Sequence, residues 1–320
     1  MSKITPFHTH ATMLIAVLCL ALLMPLTLHA YNGNEGWMRA AHGGDTTQLV
    51  FSHTYISRGK PRHANLDIAT KGRIAAYVNG RPISAEQWMP KQHKTNDKTF
   101  CINIDISRLM RADTNTIAIV YTPTARTLHQ LSVSYYGESA DGTRFAYSGN
   151  KGWLTTITGR HIYNDRIEHI DGRIQPVTLV RMSMPCAYWQ PALASTHNTS
   201  QSLLAQWHNT PLPQWKGVEA ICKMGASIQR ILTPRYTQTR GKTLMADFAP
   251  GCCAFIRITL RNCRRGEHIN INGNTYICNG EMDEQAYMQL CPQYFRRVII
   301  TGDKYFRPEQ VQGVEAISIY

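Results

Sequence analysis

Three acidic side chains stand close together in the last fifth of the chain, at Glu281, Asp283 and Glu284. Hydrolysis of a glycosidic bond needs two carboxyl groups that flank the bond, and close carboxylates raise one another's pKa as a general acid requires. In a strand, Glu281 and Asp283 would share one face and Glu284 the other. The three are therefore candidates for catalysis. The alternative, which the sequence favours, is an exposed acidic loop that pairs with Arg296 or Arg297.

A second group of candidates consists of aromatic rings beside hydrogen-bonding side chains in an irregular, proline-containing stretch. Flat rings stack on the apolar faces of sugars, while amide and charged groups bind the hydroxyls. The sequence alternative is that these rings fill the seam between two domains. The candidates for carbohydrate binding are Tyr188, Trp189, Gln190, Trp207 and Trp215.

Other chemistry finds little support in the sequence. It contains no Gly-x-Ser-x-Gly elbow and no Cys-x-x-Cys, His-Glu-x-x-His or calcium-loop spacing. Eight of the nine cysteines follow the first thirty residues, an even number that is compatible with disulfides. Several of these eight, such as the neighbours Cys252 and Cys253, lie at strand positions. The alternative to disulfides is that the thiols are unpaired and pack as small apolar groups. Both readings stay open, and the sequence predicts neither a metal site nor a cofactor.

The elements that must position these residues are β-strands. Between Ala64 and Tyr121, apolar residues recur at every second position in four runs, which is typical of half-buried strands. Asn79-Gly80 suits a two-residue hairpin, because both residues tolerate positive φ angles. The polar stretch from Asp105 to Asn115 indicates a single helical turn. The segment predicts one continuous sheet of a β-sandwich.

A second β unit occupies the last eighty residues. Ala254, Ile256, Ile258 and Leu260 alternate along one strand, and Asn272-Gly273 predicts another hairpin. Prolines between the two units argue against a long helix or a central strand there. The predicted fold is all-β, with two jelly-roll or galactose-binding-like sandwiches. The boundaries are residues 1–30 as a signal peptide, 31–180 as the first sandwich, 181–240 as an irregular connector and 241–320 as the second sandwich.

The first unit resembles the N-terminal jelly-roll domain of bacterial α-L-rhamnosidases. The resemblance lies in Tyr77-Val78-Asn79-Gly80, in Ile104-Asp105-Ile106-Ser107-Arg108-Leu109-Met110 and in the strand from Asn115 to Ile119. Asp247-Phe248 and Phe295-Arg296-Arg297-Val298 are similar to the second sandwich of that family. The resemblance implies two β-sandwiches. In the family, an (α/α)6 barrel with the catalytic carboxylates follows them, and these 320 residues hold no counterpart of it. Some sandwiches of this kind bind rhamnose with calcium, but the resemblance places no calcium ligand here.

Composition and the first residues indicate export. Lys3, an apolar run from Met13 to Met24 and Ala30 at the cleavage point form the pattern of a signal peptide, too short to span a bilayer comfortably. The formal net charge is +13, but the basic residues are scattered and no nucleic-acid-binding motif accompanies them. We therefore expect a periplasmic, secreted or cell-surface protein with no transmembrane span and no nucleic-acid partner.

These observations support three hypotheses of function. The first is a non-catalytic protein that binds carbohydrate, rhamnose-containing or other, or that assists a partner protein carrying a catalytic domain. The second is a truncated or split α-L-rhamnosidase or other glycoside hydrolase. The third is a structural component of the cell envelope that makes only protein contacts.

Overall fold

The computed structural model describes residues 36–70, 72–83, 88–90, 100–123, 130–164, 167–174, 189–195, 222–224, 228–289 and 292–319. In these ranges the chain forms strands and two single turns of 3-10 helix, Ser107–Leu109 and Pro308–Gln310. The predicted all-β sandwich fold is confirmed. The described part of the chain contains no helix that is long and apolar enough to cross a membrane.

Fourteen strands lie in the described residues before residue 195. They are β1 (Trp37–Arg39), β2 (Thr47–Ile56), β3 (His63–Thr70), β4 (Arg73–Val78), β5 (Arg81–Pro82), β6 (Trp88–Pro90), β7 (Phe100–Asp105), β8 (Thr114–Thr122), β9 (Gln130–Glu138), β10 (Arg144–Ser148), β11 (Leu154–Tyr163), β12 (Ile167–Asp171), β13 (Gln190–Pro191) and β14 (Leu193–Ala194).

Most of these strands form the two layers of the first sandwich. One layer has the order β14-β1-β9-β3-β7, with β10 added to β9. In the other layer, β5 pairs with β4, β4 with β8, β8 with β2 and β2 with β11. Alternate residues of both layers meet in a buried core, for example Leu66 and Ile104 from the first and Phe51, Ile74 and Ile119 from the second. Period-two alternation therefore gives each strand one face toward the core.

The expectation of one continuous sheet between Ala64 and Tyr121 is wrong. In the structure β3 pairs with β7, whereas β4 pairs with β8, and the two pairs lie in opposite layers. Each pair is correctly placed as a strand by its alternation. Alternation tells which residues face the core but not which layer a strand joins, because both layers bury one face in the same core.

The predicted hairpin and helical turn are confirmed, and one side chain links them. Asn79 and Gly80 have φ angles of 53° and 77°. The buried amide of Asn79 donates to the Leu109 carbonyl at 2.9 Å and to Oδ1 of Asn115 at 3.0 Å. Its Oδ1 accepts from the Thr116 backbone N–H at 3.0 Å. Asn79 thus ties the hairpin to the turn that follows β7 and to the start of β8.

Nine further strands follow residue 195 in the described residues; the first of them pairs with β6 of the first sandwich, and the other eight form the second unit. The nine are β15 (Cys222–Met224), β16 (Ile228–Leu232), β17 (Tyr236–Arg240), β18 (Thr243–Arg261), β19 (His268–Ile271), β20 (Asn274–Ile277), β21 (Asp283–Tyr287), β22 (Gln293–Gly302) and β23 (Val311–Ile319). The long strand β18 pairs with β17, β21, β22 and β23, and β19 pairs with β20 and β22. Ile256, Ile258, Ile269, Val298 and Ala316 belong to a second core between these strands.

Strand β12 connects the two units. It pairs antiparallel with β11 of the first sandwich and parallel with β20 of the second unit. Its Ile170 side chain is part of the second core, and Ala192, which precedes β14, is part of the first. Residues 175–188, 196–221 and 225–227 lie outside the described part of the chain. The domain boundaries at residues 180 and 240 therefore stay a prediction.

The hairpin side chain gives a first prediction. Asn79→Gly keeps the positive φ angle but removes the three hydrogen bonds, so it is expected to lower the free energy of unfolding by about 2–4 kcal/mol. Asn164 is the matched control, because it is exposed and has a φ of 51°. Asn164→Gly should change stability by less than about 0.5 kcal/mol in urea denaturation. Equal effects of the two substitutions would contradict the role of the Asn79 side chain.

Candidate functional site in the cleft between the two sandwiches

A buried ion pair joins the two units. Nη1 of Arg160, on β11, bonds Oε1 of Glu168, on β12, and the Glu168 side chain is 1% exposed. Arg160 also donates to the Tyr287 carbonyl at 2.9 Å, and the other oxygen of Glu168 accepts from the Gln289 backbone N–H at 2.8 Å. Arg160 and Glu168 therefore both contact the second unit. The pair fixes the separation and orientation of the two units at this point.

One wall of the cleft beside this pair is the outer face of the first sandwich. Residues that alternate with the core positions of β2, β4 and β8 point away from the core and toward the second unit. They include Gln48, Ala75 and Tyr77. Gln48 is held by the hydroxyls of Thr122 and Thr158, each at 2.8 Å. This wall is therefore a fixed surface with one aromatic ring.

The opposite wall comes from the second unit. It is formed by the segment between β20 and β21 and by β21 itself, and with Asp171 and Gly172 it encloses a volume of about 760 Å³. That size lies within the range of small-molecule sites, about 300–1,000 Å³. The polar side chains that line this wall are Tyr276, Asn279, Glu281, Asp283, Glu284, Gln285 and Gln289.

Two of the cleft carboxylates are held by arginines. Asp171 accepts two hydrogen bonds from the Arg173 guanidinium, at 2.9 and 2.8 Å, which hold the pKa of the carboxyl below its ordinary value. Nε of Arg261 lies 2.6 Å from Oδ1 of Asp283 and lowers the pKa of Asp283 in the same way. Both groups are therefore acceptors at neutral pH and poor proton donors.

The three acidic candidates of the sequence come together at the cleft but in different environments. Glu281 is exposed, Asp283 is paired with Arg261 rather than with Arg296 or Arg297, and Glu284 is 5% exposed. The expectation that Asp283 and Glu284 face opposite ways is confirmed by the burial pattern of β21. The catalytic assignment itself stays a prediction.

The aromatic candidates lie elsewhere or outside the described residues. Trp189 is half-buried, and Gln190 belongs to β13, where its carbonyl accepts the Thr155 hydroxyl at 3.3 Å. Neither lines the cleft. Tyr188, Trp207 and Trp215 lie outside the described part of the chain, so their role in carbohydrate binding stays a prediction.

Sequence reasoning missed several residues of the cleft, above all Gln48, Thr158 and Arg160. The available signal was a polar side chain on a strand whose other face is apolar, as at Gln48 beside Leu49. That signal marks a surface residue equally well, because most strands of a sandwich turn one face to solvent. The parallel pairing of β12 with β20 and the contacts of Arg160 and Glu168 bring the second unit over this face.

The cleft does not fit calcium, the metal that the family resemblance suggests. Calcium takes six to eight oxygen ligands. Asp171 and Asp283 are each committed to an arginine. In the described residues the single cluster with metal-ligand spacing contains two cysteines, which are unsuitable for a hard cation.

Comparison with known proteins identifies solved structures that share this fold. No family model and no curated protein matches the sequence. Among solved structures, an α-L-rhamnosidase from Dictyoglumus thermophilum superposes with a TM-score of 0.67 and 17% identity over 90% of this chain and 36% of its own. The fold is that of part of the α-L-rhamnosidases.

Two further α-L-rhamnosidases show the same likeness of fold. The Streptomyces avermitilis α-L-rhamnosidase, solved with L-rhamnose, has a TM-score of 0.64 and 14% identity over 86% of this chain and 29% of its own. The Aspergillus terreus enzyme has a TM-score of 0.64 and 12% identity over 89% and 36%. The chain thus spans about a third of the length of these enzymes. At such identities the likeness confirms the predicted resemblance as one of fold.

The contact between the two units at Arg160 and Glu168, called the seam below, gives a second prediction. Glu168→Ala leaves the half-buried Arg160 without its carboxylate and removes the acceptor of the Gln289 N–H, so the free energy of unfolding is expected to fall by about 3 kcal/mol. The matched control is Glu138→Ala, because the Arg62–Glu138 pair is exposed and its loss should cost less than about 1 kcal/mol. Urea denaturation of both variants at pH 7 makes the measurement. A Glu168→Ala effect no larger than that of the control would contradict a structural role for the seam.

A buried carboxyl in the first sandwich lies outside the cleft. Asp67 is 5% exposed and accepts from the Asn103 amide and, at 3.3 Å, from the Tyr136 hydroxyl. Burial raises its pKa from 3.8 to about 7, although these hydrogen bonds act in the opposite direction. Between these two pKa values, Asp67 is therefore protonated in the folded protein and ionised in the unfolded chain.

This shift gives a pH prediction. Because the pKa of Asp67 is higher in the folded than in the unfolded protein, its contribution to stability falls by at most about 4 kcal/mol as the pH rises from about 4 to 7. Above pH 7 the contribution is constant. Asp67→Asn removes the titration, so the stability of the variant relative to the natural protein should increase across this window. Glu309→Gln, at an exposed acid, is the control. A variant-to-natural difference that is flat between pH 4 and 8 would contradict the raised pKa.

Proposed function

We propose that the chain binds a carbohydrate in the cleft between its two sandwiches, as an exported, non-catalytic glycan-binding protein. The observation that carries the proposal is the composition of the cleft. It combines ionised carboxylates, amides and one guanidinium around the Tyr77 ring. Sugar hydroxyls donate and accept hydrogen bonds, so fixed acceptors beside amide groups suit them.

Two groups of this lining are available to a ligand. The Glu281 carboxylate and the Gln285 amide are exposed and have no intramolecular hydrogen bond from their side chains to other described residues. By contrast, Gln48, Asp171 and Asp283 are held in place by protein partners. We infer that the fixed groups shape the site and that Glu281 and Gln285 contribute the adaptable contacts.

The fold supports rhamnose as the first ligand to test. One α-L-rhamnosidase with this fold was solved in complex with L-rhamnose. A partner protein that carries catalytic residues is also part of the proposal. The leader-like first thirty residues support export.

The binding proposal is tested with the purified full-length chain. We expect binding of a rhamnose-containing or other glycan on an array, confirmed by calorimetry. Glu281→Gln and Gln285→Ala should each weaken that binding about tenfold, the effect of one lost hydrogen bond to a ligand. Glu309→Gln and Gln312→Ala, exposed residues outside the cleft, are the matched controls and should bind normally.

Absence of binding to every glycan on the array would overturn the proposal. So would equal binding by the cleft variants and their controls, because the site would then lie elsewhere.

Hydrolysis is the second candidate, favoured by one observation. Glu281, Asp283 and Glu284 all line the same cleft. The arginine partner of Asp283 argues against a proton-donor role for that residue. Release of nitrophenol from an aryl rhamnoside by the natural protein, lost in Glu281→Gln, would replace the non-catalytic proposal with this one.

A further inference from the structure

A compact cluster of metal-ligand side chains lies inside the second unit. Cys263 follows β18, Cys278 follows β20 and Glu284 lies within β21. Their two sulfur atoms and one carboxylate oxygen all lie within 4.8 Å of one another. The three residues are 5%, 0% and 5% exposed. Three separate chain segments therefore converge on one buried point.

The carboxylate in this cluster has one oxygen without a partner. Oε2 of Glu284 accepts from the Tyr276 hydroxyl at 2.8 Å and from the Asn279 backbone N–H at 2.7 Å. Its Oε1 is buried and has no hydrogen-bond partner in the described structure. Buried carboxylate oxygens are almost always bonded, so an oxygen without a partner is unfavourable and needs an explanation.

Glu267 repeats this pattern beside the cluster. The Cys278 backbone N–H donates to the Glu267 carbonyl at 2.9 Å, which holds the two residues together. Oε2 of Glu267 accepts from the Arg264 backbone N–H and from the Gln310 amide, whereas its buried Oε1 has no partner among the described residues. Both carboxylates thus lack contact with a basic side chain in the described structure.

We propose that Cys263, Cys278 and Glu284 bind a zinc ion. Two thiolates with one or two carboxylate oxygens form a donor set that suits zinc and is too soft for calcium or magnesium. Zinc–sulfur bonds of about 2.3 Å and zinc–oxygen bonds of about 2.0–2.2 Å place tetrahedral ligands about 3.5–3.8 Å apart. Because the ligand atoms all lie within 4.8 Å of one another, each pair reaches that spacing by a contraction of at most about 1.3 Å.

The protons and charges of this step balance. Each thiol releases one proton to solvent when its sulfur bonds the metal, so two protons leave and one doubly charged cation enters. The net charge of the cluster does not change. What changes is that the free oxygen of Glu284 gains a cationic partner.

A disulfide is the competing explanation of two close cysteines. Both are free thiols in the structure. A disulfide would join the sulfurs but would leave Oε1 of Glu284 and Oε1 of Glu267 without partners. The orphaned oxygens therefore favour the metal. This inference does not rest on carbohydrate binding, although Glu284 also lines the cleft.

The test uses the purified full-length chain, reduced and loaded with zinc or cobalt. We expect about one tightly bound equivalent of zinc after dialysis, and a higher melting temperature with zinc than after chelation. Cobalt should give thiolate-to-metal charge-transfer absorption and the intense visible bands of a tetrahedral site. Cys263→Ser and Cys278→Ser should abolish the absorption and the retained zinc. Cys253→Ser, at an exposed thiol on β18, should retain both.

Four results would overturn the proposal. They are a Cys263–Cys278 disulfide found by peptide mass spectrometry in protein isolated without reductant, failure of the reduced natural protein to retain zinc, cobalt spectra without thiolate bands, and zinc retained in both cysteine variants. The spectra of the natural protein decide the question even if a cysteine variant does not fold.

Discussion

The ion pair of Arg160 with Glu168 is the interaction on which the candidate site depends. Each side chain comes from the first sandwich and makes a second contact across the seam, Arg160 with the Tyr287 carbonyl and Glu168 with the Gln289 backbone N–H. The Glu168 backbone N–H donates a further hydrogen bond across the seam, to Oδ1 of Asn274 at 2.9 Å. A buried pair of this kind is weak evidence for stability, but it is directional and tolerates little displacement. The seam is therefore defined by geometry as well as by apolar contact.

The cleft follows from this seam. Because β12 pairs in parallel with β20, the outer face of the first sandwich is held opposite β21. The surface that carries Gln48 and Tyr77 becomes one wall of the open cleft. The other wall carries Glu281 and Gln285. Gln48, Tyr77 and Gln285 are thus positioned by strands, whereas Glu281 lies in the segment that precedes β21.

Much of the local structure can be predicted from the sequence. The alternation at Ala64, Leu66 and Ile68 and the Asn79-Gly80 turn depend on neighbouring residues, so they are visible in the chain. The layer that each strand joins is not visible, because both layers bury one face in the same core. The approach of Cys278 to Glu284 also escapes sequence reasoning, since it depends on how the loop after β20 returns toward β18. For the same reason, the acids at 281 and 283 can be named from the sequence but not the wall opposite them.

The central claim is that carbohydrate binds where the two sandwiches meet. A crystal structure of the full-length chain with the glycan that it binds most tightly tests this most directly. We predict a sugar ring in the cleft beside Tyr77, within hydrogen-bond distance of Glu281 or Gln285. A sugar bound outside the cleft, with the cleft itself holding only water, would contradict the account.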